Sequence, residues 1–221
     1  MIDFELITSL LPTFGQAALR SLALMVVATC GGLVLGFGLN AMRVLGGPAV
    51  RCGVMVWTSV WRFTPFLTQL FIVYFGLPTV GVSMSPFQAA ALTLALYSAC
   101  YFAEIFRGCW DTVPKGQLEA AVSAGIGRWQ VFRAIEMPQA LVISVPLLVN
   151  QTILVLKESA LASVITYPEL TMATGRVVAE RFAYVEPYLL LAGTYWLMTL
   201  AIGAAGRQLT HRFGTRSRNA T

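Results

Sequence analysis

The sequence predicts an all-α protein that crosses a membrane five times as one domain, and three observations carry that prediction. Of the 221 residues, 57% are hydrophobic and 11% charged, against about 25% charged in a soluble domain. Mean hydropathy is +0.72. Runs of about 20 apolar residues, the length that crosses ~30 Å of hydrocarbon at 1.5 Å per residue, recur five times.

The runs fall at 17–39, 54–75, 86–106, 140–165 and 187–205. The first holds Gly31, Gly32, Gly36 and Gly38, small residues that let a second helix come close. Arg62 and Pro65 interrupt the second. Glu104 and Arg107, at the end of the third, are three apart and can pair along one helix face. The loop 76–85 is short and uncharged, so the second and third runs form a close antiparallel pair. The outer segment 167–186 reads over 168–182 as a surface helix whose acids and bases are screened by water.

Orientation follows from the positive residues. With the N-terminus outside, Arg43, Arg51, Arg107, Lys115, Arg128, Arg133, Arg207, Arg212, Arg216 and Arg218 fall inside, and only Arg20, Arg176 and Arg181 outside. The C-terminus is then cytoplasmic. The basic tail is expected to rest on anionic lipid and not on nucleic acid, with His211 a solvated bystander. The opening residues, with Asp3 and Glu5, lack the positive start of a cleaved signal. Cys30, Cys52, Cys100 and Cys109 show no metal-ligand spacing and read as small buried hydrophobes, so no metal site is expected. There is no GxxxxGK[ST] phosphate loop, so no nucleotide is expected on this chain and no catalytic residue is assigned. Five spans do not divide into two similar halves, which weighs against a secondary transporter.

Polar residues gather in two places. The fourth run carries Asn150 and Lys157, seven apart, beside Gln151 and Glu158, also seven apart. They make adjacent stripes on one side of a helix that cannot face lipid. With Thr64 and Gln69 of the second run they are candidates to line a route for a zwitterion, Lys157 meeting a carboxylate and Glu158 an ammonium. A structural network joining two chains is the alternative. The second place is the inner loop 107–139, and within it 119–138, where Gly125 and Gly127 divide two short amphipathic helices and Pro138 closes the segment.

Glu119-Ala120-Ala121, then Gly125, then Ile135-x-Met137-Pro138 resembles the cytoplasmic signature of ABC importer permeases, with Met137 where Leu is usual. Arg62-Phe63-Thr64-Pro65, Tyr101 to Gly108, Val113 to Gln117 and Leu156 to Ile165 resemble the polar amino acid uptake subfamily, with Phe63 where that subfamily has Gly. The resemblance implies the MetI-like permease fold in a bacterial inner membrane. It also implies a second permease chain, identical or homologous, separate ATPase subunits that bind ATP and Mg, and an external solute-binding protein. Glu119, Ala120, Ala121, Gly125, Arg128, Trp129, Ile135 and Pro138 would then contact the ATPase. The expected cargo is a polar amino acid or a small zwitterion such as an opine. Another solute, or an ion-coupled carrier titrating Lys157 and Glu158, are the competing readings.

Overall fold

The computed structural model describes residues 3–218, with side chains as far as residue 210. The side chains of His211, Arg212, Arg216 and Arg218, which carry most of the basic tail, lie outside the described residues. The described residues are mostly helical: α1 (Phe4–Leu45), α2 (Pro48–Phe63), α3 (Phe66–Phe71), α4 (Pro86–Trp110), α5 (Lys115–Ser123), α6 (Arg128–Val131), α7 (Met137–Glu158), α8 (Leu170–Arg181) and α9 (Val185–Arg218).

Four stretches among the described residues are long and apolar enough to span a bilayer: Phe4–Leu45, Pro86–Trp110, Arg128–Ile165 and Val185–Thr210. The second expected span is a pair, Pro48–Phe63 and Phe66–Val80, bent by 100° at the break. Counted as one broken span, the pair brings the total to five. Pro65 causes the break, because it cannot donate a helical hydrogen bond and pushes Thr64 out of helical geometry; its own backbone is extended, at ψ 135. Beyond α3 the chain winds on through a wide turn, Ile72–Gly76, and a tight one, Leu77–Val80, before Gly81 reverses it at φ 86. Ser85 and Gln88 then cap α4 reciprocally: Gln88 N–H donates to Ser85 Oγ at 3.3 Å and Ser85 N–H to Gln88 Oε1 at 2.9 Å.

Two compact units partition these helices. One comprises Met1–Cys30, Thr64–Ala95 and Thr152–Ile202. Its polar knot ties the start of α8 to α1 and α9. Glu169 is fully buried and caps α8 by accepting from Thr171 N–H and Met172 N–H at 2.9 and 2.8 Å. Tyr195 Oη donates to Glu169 at 3.2 Å, Leu170 N–H to Ser21 Oγ at 3.2 Å, and Tyr167 Oη to Arg20 C=O at 3.2 Å. Burial pushes the Glu169 carboxyl above the usual carboxylate range, against the pull of the two backbone donors. The surface helix expected over 168–182 is therefore present as α8, but its acids are not all in water. Glu169 and Glu186 are buried, whereas Arg176, Glu180 and Arg181 are exposed.

The other unit comprises Gly31–Phe63, Leu96–Gln151 and Gly203–Thr221. Its core is Phe102, Phe106, Cys109, Trp110, Val113, Phe132 and Ala140, packed against Leu33, Phe37 and Ala41 of α1. Between apolar helices in lipid the driving force is close packing, since lipid tails are as apolar as the side chains. Gly36 makes that packing possible: a Cβ there would sit 2.7 Å from Ala99 C=O and 2.8 Å from Phe102 Cβ. Gly38, by contrast, has open space around it. Cys100 and Cys109 are buried as expected, but Cys30 and Cys52 are exposed on their helices.

Candidate functional site

The inner loop is built on one turn. Pro114 opens α5, with Gln117 N–H returning to its carbonyl at 3.1 Å. At the other end Ile126 N–H bonds Ala121 C=O at 3.0 Å and Gly125 N–H bonds Val122 C=O at 2.9 Å. This paired closure needs a left-handed residue between helix and exit. Gly125 provides it at φ 77, with nothing within 4 Å of where a Cβ would stand. Gly127 then starts α6, and Gln130 reaches back to accept from its N–H at 3.3 Å.

Pro138 does not close the segment. From Arg128 the backbone continues through a wide turn, Phe132–Glu136, straight into α7. A wide turn shifts the hydrogen-bond ladder by one residue, so the missing N–H of Pro138 is accommodated within the first turn of α7 instead of ending the helix. Both short helices of the loop are present, and the second is the beginning of the fourth span.

Two faces result. Ala121 is buried, whereas Glu119, Ala120, Arg128 and Pro138 are exposed and Ile135 is intermediate. Exposed apolar side chains, Val122 at 63%, Ile126 at 39% and Trp129 at 58%, project from the loop. Behind Trp129 runs an aromatic stack: Trp129 on Phe132 at 5.7 Å, Phe132 on Trp110 at 5.8 Å, and Phe37 edge-on to Trp110 at 6.0 Å. Arg128 donates to Glu136 Oε1 at 3.1 Å and to Val44 C=O at 3.4 Å, pinning α6 to the end of α1.

The six residues read as a substrate route are distributed over both units. Gln69 Nε2 donates to Thr64 Oγ1 at 2.6 Å, bridging the break between α2 and α3. Gln151 and Gln69 are buried, Glu158 is half-buried, and Asn150 and Lys157 are exposed. Among the described residues neither Lys157 nor Glu158 has an ion-pair partner, each other included. Consecutive residues on a helix point about 100° apart, which is why this pair does not close on itself. Phe63 is 80% exposed, at the last position of α2.

The family described as "Binding-protein-dependent transport system inner membrane component" matches residues 28–214. This chain belongs to it. The permease is 37% identical over 80% of its length to 78% of the "Probable amino-acid ABC transporter permease protein YckA" of Bacillus subtilis. It is 32% identical over 95% of its length to 97% of the "Glutamine transport system permease protein GlnP" of Escherichia coli K12. Among solved structures, a chain of "an amino acid ABC transporter with histidines" superimposes with TM-score 0.89 at 32% identity, over 96% of this permease and 99% of that chain. An inward-facing MetNI methionine ABC transporter chain, TM-score 0.80 at 19% identity over 93% and 98%, shares the fold. The permease is an all-helical, multi-pass inner-membrane protein, and its family works with an ATPase and a binding protein.

One cluster in the permease was not read from the sequence in full. Glu104 meets Arg107 Nε at 2.8 Å, as expected, but also Arg43 Nη1 at 3.2 Å and Arg62 Nη1 at 3.6 Å. Arg62 also lies over the Tyr101 ring, 5.5 Å from its centre. The available signal was cost: an arginine inside an apolar run needs a partner, and Glu104 was the carboxylate placed at a helix end to supply it.

Proposed function

We propose that this permease is the membrane subunit of an ATP-driven importer that carries a polar amino acid, or a small zwitterion such as an opine, into the cytoplasm. The observation that carries the coupling part is the loop itself. Val122, Ile126 and Trp129 are exposed on a turn that Gly125 fixes, and the aromatic stack behind Trp129 backs them rigidly. An apolar, pre-organised face of this kind suits a groove on another protein. In this reading the partner is an ATPase that holds ATP and Mg, and Glu119, Ala120, Ala121, Gly125, Arg128, Trp129, Ile135 and Pro138 form or shape the contact. Its closure on nucleotide pushes the loop, and two permease chains, identical or homologous, rock between outward and inward openings.

The cargo class is supported by the names of the relatives, amino acid and glutamine permeases. Thr64, Gln69, Asn150, Gln151, Lys157 and Glu158 line the route, with Lys157 facing the substrate carboxylate and Glu158 its ammonium. The chain performs no covalent chemistry. An N-out, C-in orientation is supported by the Lys and Arg distribution.

Gly125 tests the coupling role. The Gly125→Asp variant puts a charge on the loop face where the partner would bury it, so uptake into proteoliposomes should vanish and the ATPase should dissociate more readily, with membrane insertion unchanged. Gly125→Asn tolerates the left-handed backbone without the charge and should keep most activity. Full uptake by the Asp variant refutes the role.

A further inference from the structure

A cavity of about 490 Å³ lies in the unit that carries the inner loop, between the ends of α1 and α4, the start of α2, α5 and α6. It falls in the size range of small-ligand sites, about 300–1,000 Å³. Its polar lining is unfinished. Asn40 is 1% exposed, yet neither its Nδ2 nor its Oδ1 has a partner; Trp110 Nε1 and Glu136 Oε2 are likewise buried and unmatched. These four unmatched side-chain atoms all belong to residues that line this one cavity. Buried polar groups are seldom left so, because a buried donor or acceptor without a partner has given up its hydrogen bonds to water for nothing.

The charges are unbalanced in one direction. Five cationic side chains face two carboxylates, Asp111 and Glu136. Arg43 and Arg107 are engaged by Glu104 and Arg128 by Glu136, which leaves Arg51 and Lys115 without a carboxylate partner among the described residues. The matching ligand is therefore an anion with several acceptor oxygens for Arg51, Lys115, Trp110 Nε1 and Asn40 Nδ2. It must also bring a donor for Asn40 Oδ1 and Glu136 Oε2. A carboxylate alone has no donor, and an unsubstituted dianion would repel Glu136.

We propose that this cavity binds a phosphate monoanion that carries hydroxyl donors, as the headgroup of a membrane phospholipid or as free dihydrogen phosphate. The phosphate oxygens accept from the cations and the two neutral N–H donors, and two hydroxyls donate, one to Asn40 Oδ1 and one to Glu136 Oε2. Nothing in this assignment depends on which solute is transported.

The test uses the full permease assembled with its partner chains in phosphatidylcholine nanodiscs. Lys115, which is exposed, is acylated with an amine-reactive ester, and the rate is followed by mass spectrometry. Adding phosphatidylglycerol to the disc should slow acylation of Lys115 several-fold, while exposed amines elsewhere react unchanged. Slowing by inorganic phosphate in phosphatidylcholine discs assigns the site to free phosphate; slowing by phosphatidylglycerol alone assigns it to lipid. Arg51→Gln should weaken the protecting ligand roughly tenfold, and Asn40→Leu, which changes no charge, should weaken it as well. Lys115 reactivity that neither addition alters overturns the proposal, as does protection that survives both substitutions unchanged.

Discussion

At the scale of single residues, Glu104 concentrates cost and benefit in one side chain. Three guanidinium groups within 3.6 Å share a carboxylate that is only 22% exposed, so removing its charge leaves Arg43 and Arg62, at the ends of α1 and α2, without a carboxylate partner among the described residues and Arg107 with Asp111 alone. Glu104→Gln should lower the stability of the assembled protein by about 2 kcal/mol or more in thermal unfolding. Asp111→Asn, whose side chain is 69% exposed beside the same Arg107, should change it by less than about 0.5 kcal/mol. Glu104 to Arg107 was legible because both sit on one helix face. Arg43 and Arg62 lie 61 and 42 positions away, and only the folded chain brings them in. Lys157 and Glu158 call for a different experiment. Because neither is ion-paired among the described residues, Lys157→Met with Glu158→Gln should leave assembly intact and alter which solutes stimulate ATP hydrolysis in proteoliposomes. Poor assembly with unchanged solute preference would make the pair structural.

At the scale of elements, glycine and proline had to be placed in three dimensions before their roles separated. Four glycines in the first run all promised close approach, yet Gly36 meets the backbone of α4 and Gly38 meets nothing. Gly36→Ala should force α1 from α4 and cost about 1–3 kcal/mol in thermal unfolding. Gly38→Ala should be neutral, or more stable by up to about 1 kcal/mol through helix propensity. If the two variants behave alike, the crossing is looser than described. Pro65 and Pro138 show the same lesson. Pro65 ends a helix because the residue before it is pushed out of helical geometry. Pro138 follows a wide turn that has already displaced the hydrogen-bond ladder, so the helix runs through it. Composition cannot distinguish these cases, since the difference lies in the five residues upstream.

At the scale of the whole molecule, hydropathy disclosed where the long apolar helices lie because apolar length is a one-dimensional property. It did not disclose that α1 extends to Phe4–Leu45, or that the second apolar run is a helix pair bent by 100°. Helix ends outside hydrocarbon are set by caps and packing, which leave weak marks on composition. With native cysteines removed, a maleimide that cannot cross the membrane should label an engineered cysteine at Arg176 in intact cells. One at Arg133 should react only after lysis. The reverse pattern would invert the orientation and place the loop on the wrong side of any cytoplasmic motor. The unbroken backbone from Arg128 into α7 also has a mechanical consequence. From Arg128 to Gln151 it is a continuous helical stretch about 36 Å long whose near end is the loop itself. The wide turn at Phe132–Glu136 and Pro146 are the places along it where a push could be taken up as bending. A tilt of about 10° at the loop that bends neither place would sweep the far end of that stretch through roughly 6 Å, comparable to the width of the small solutes such a path would have to pass.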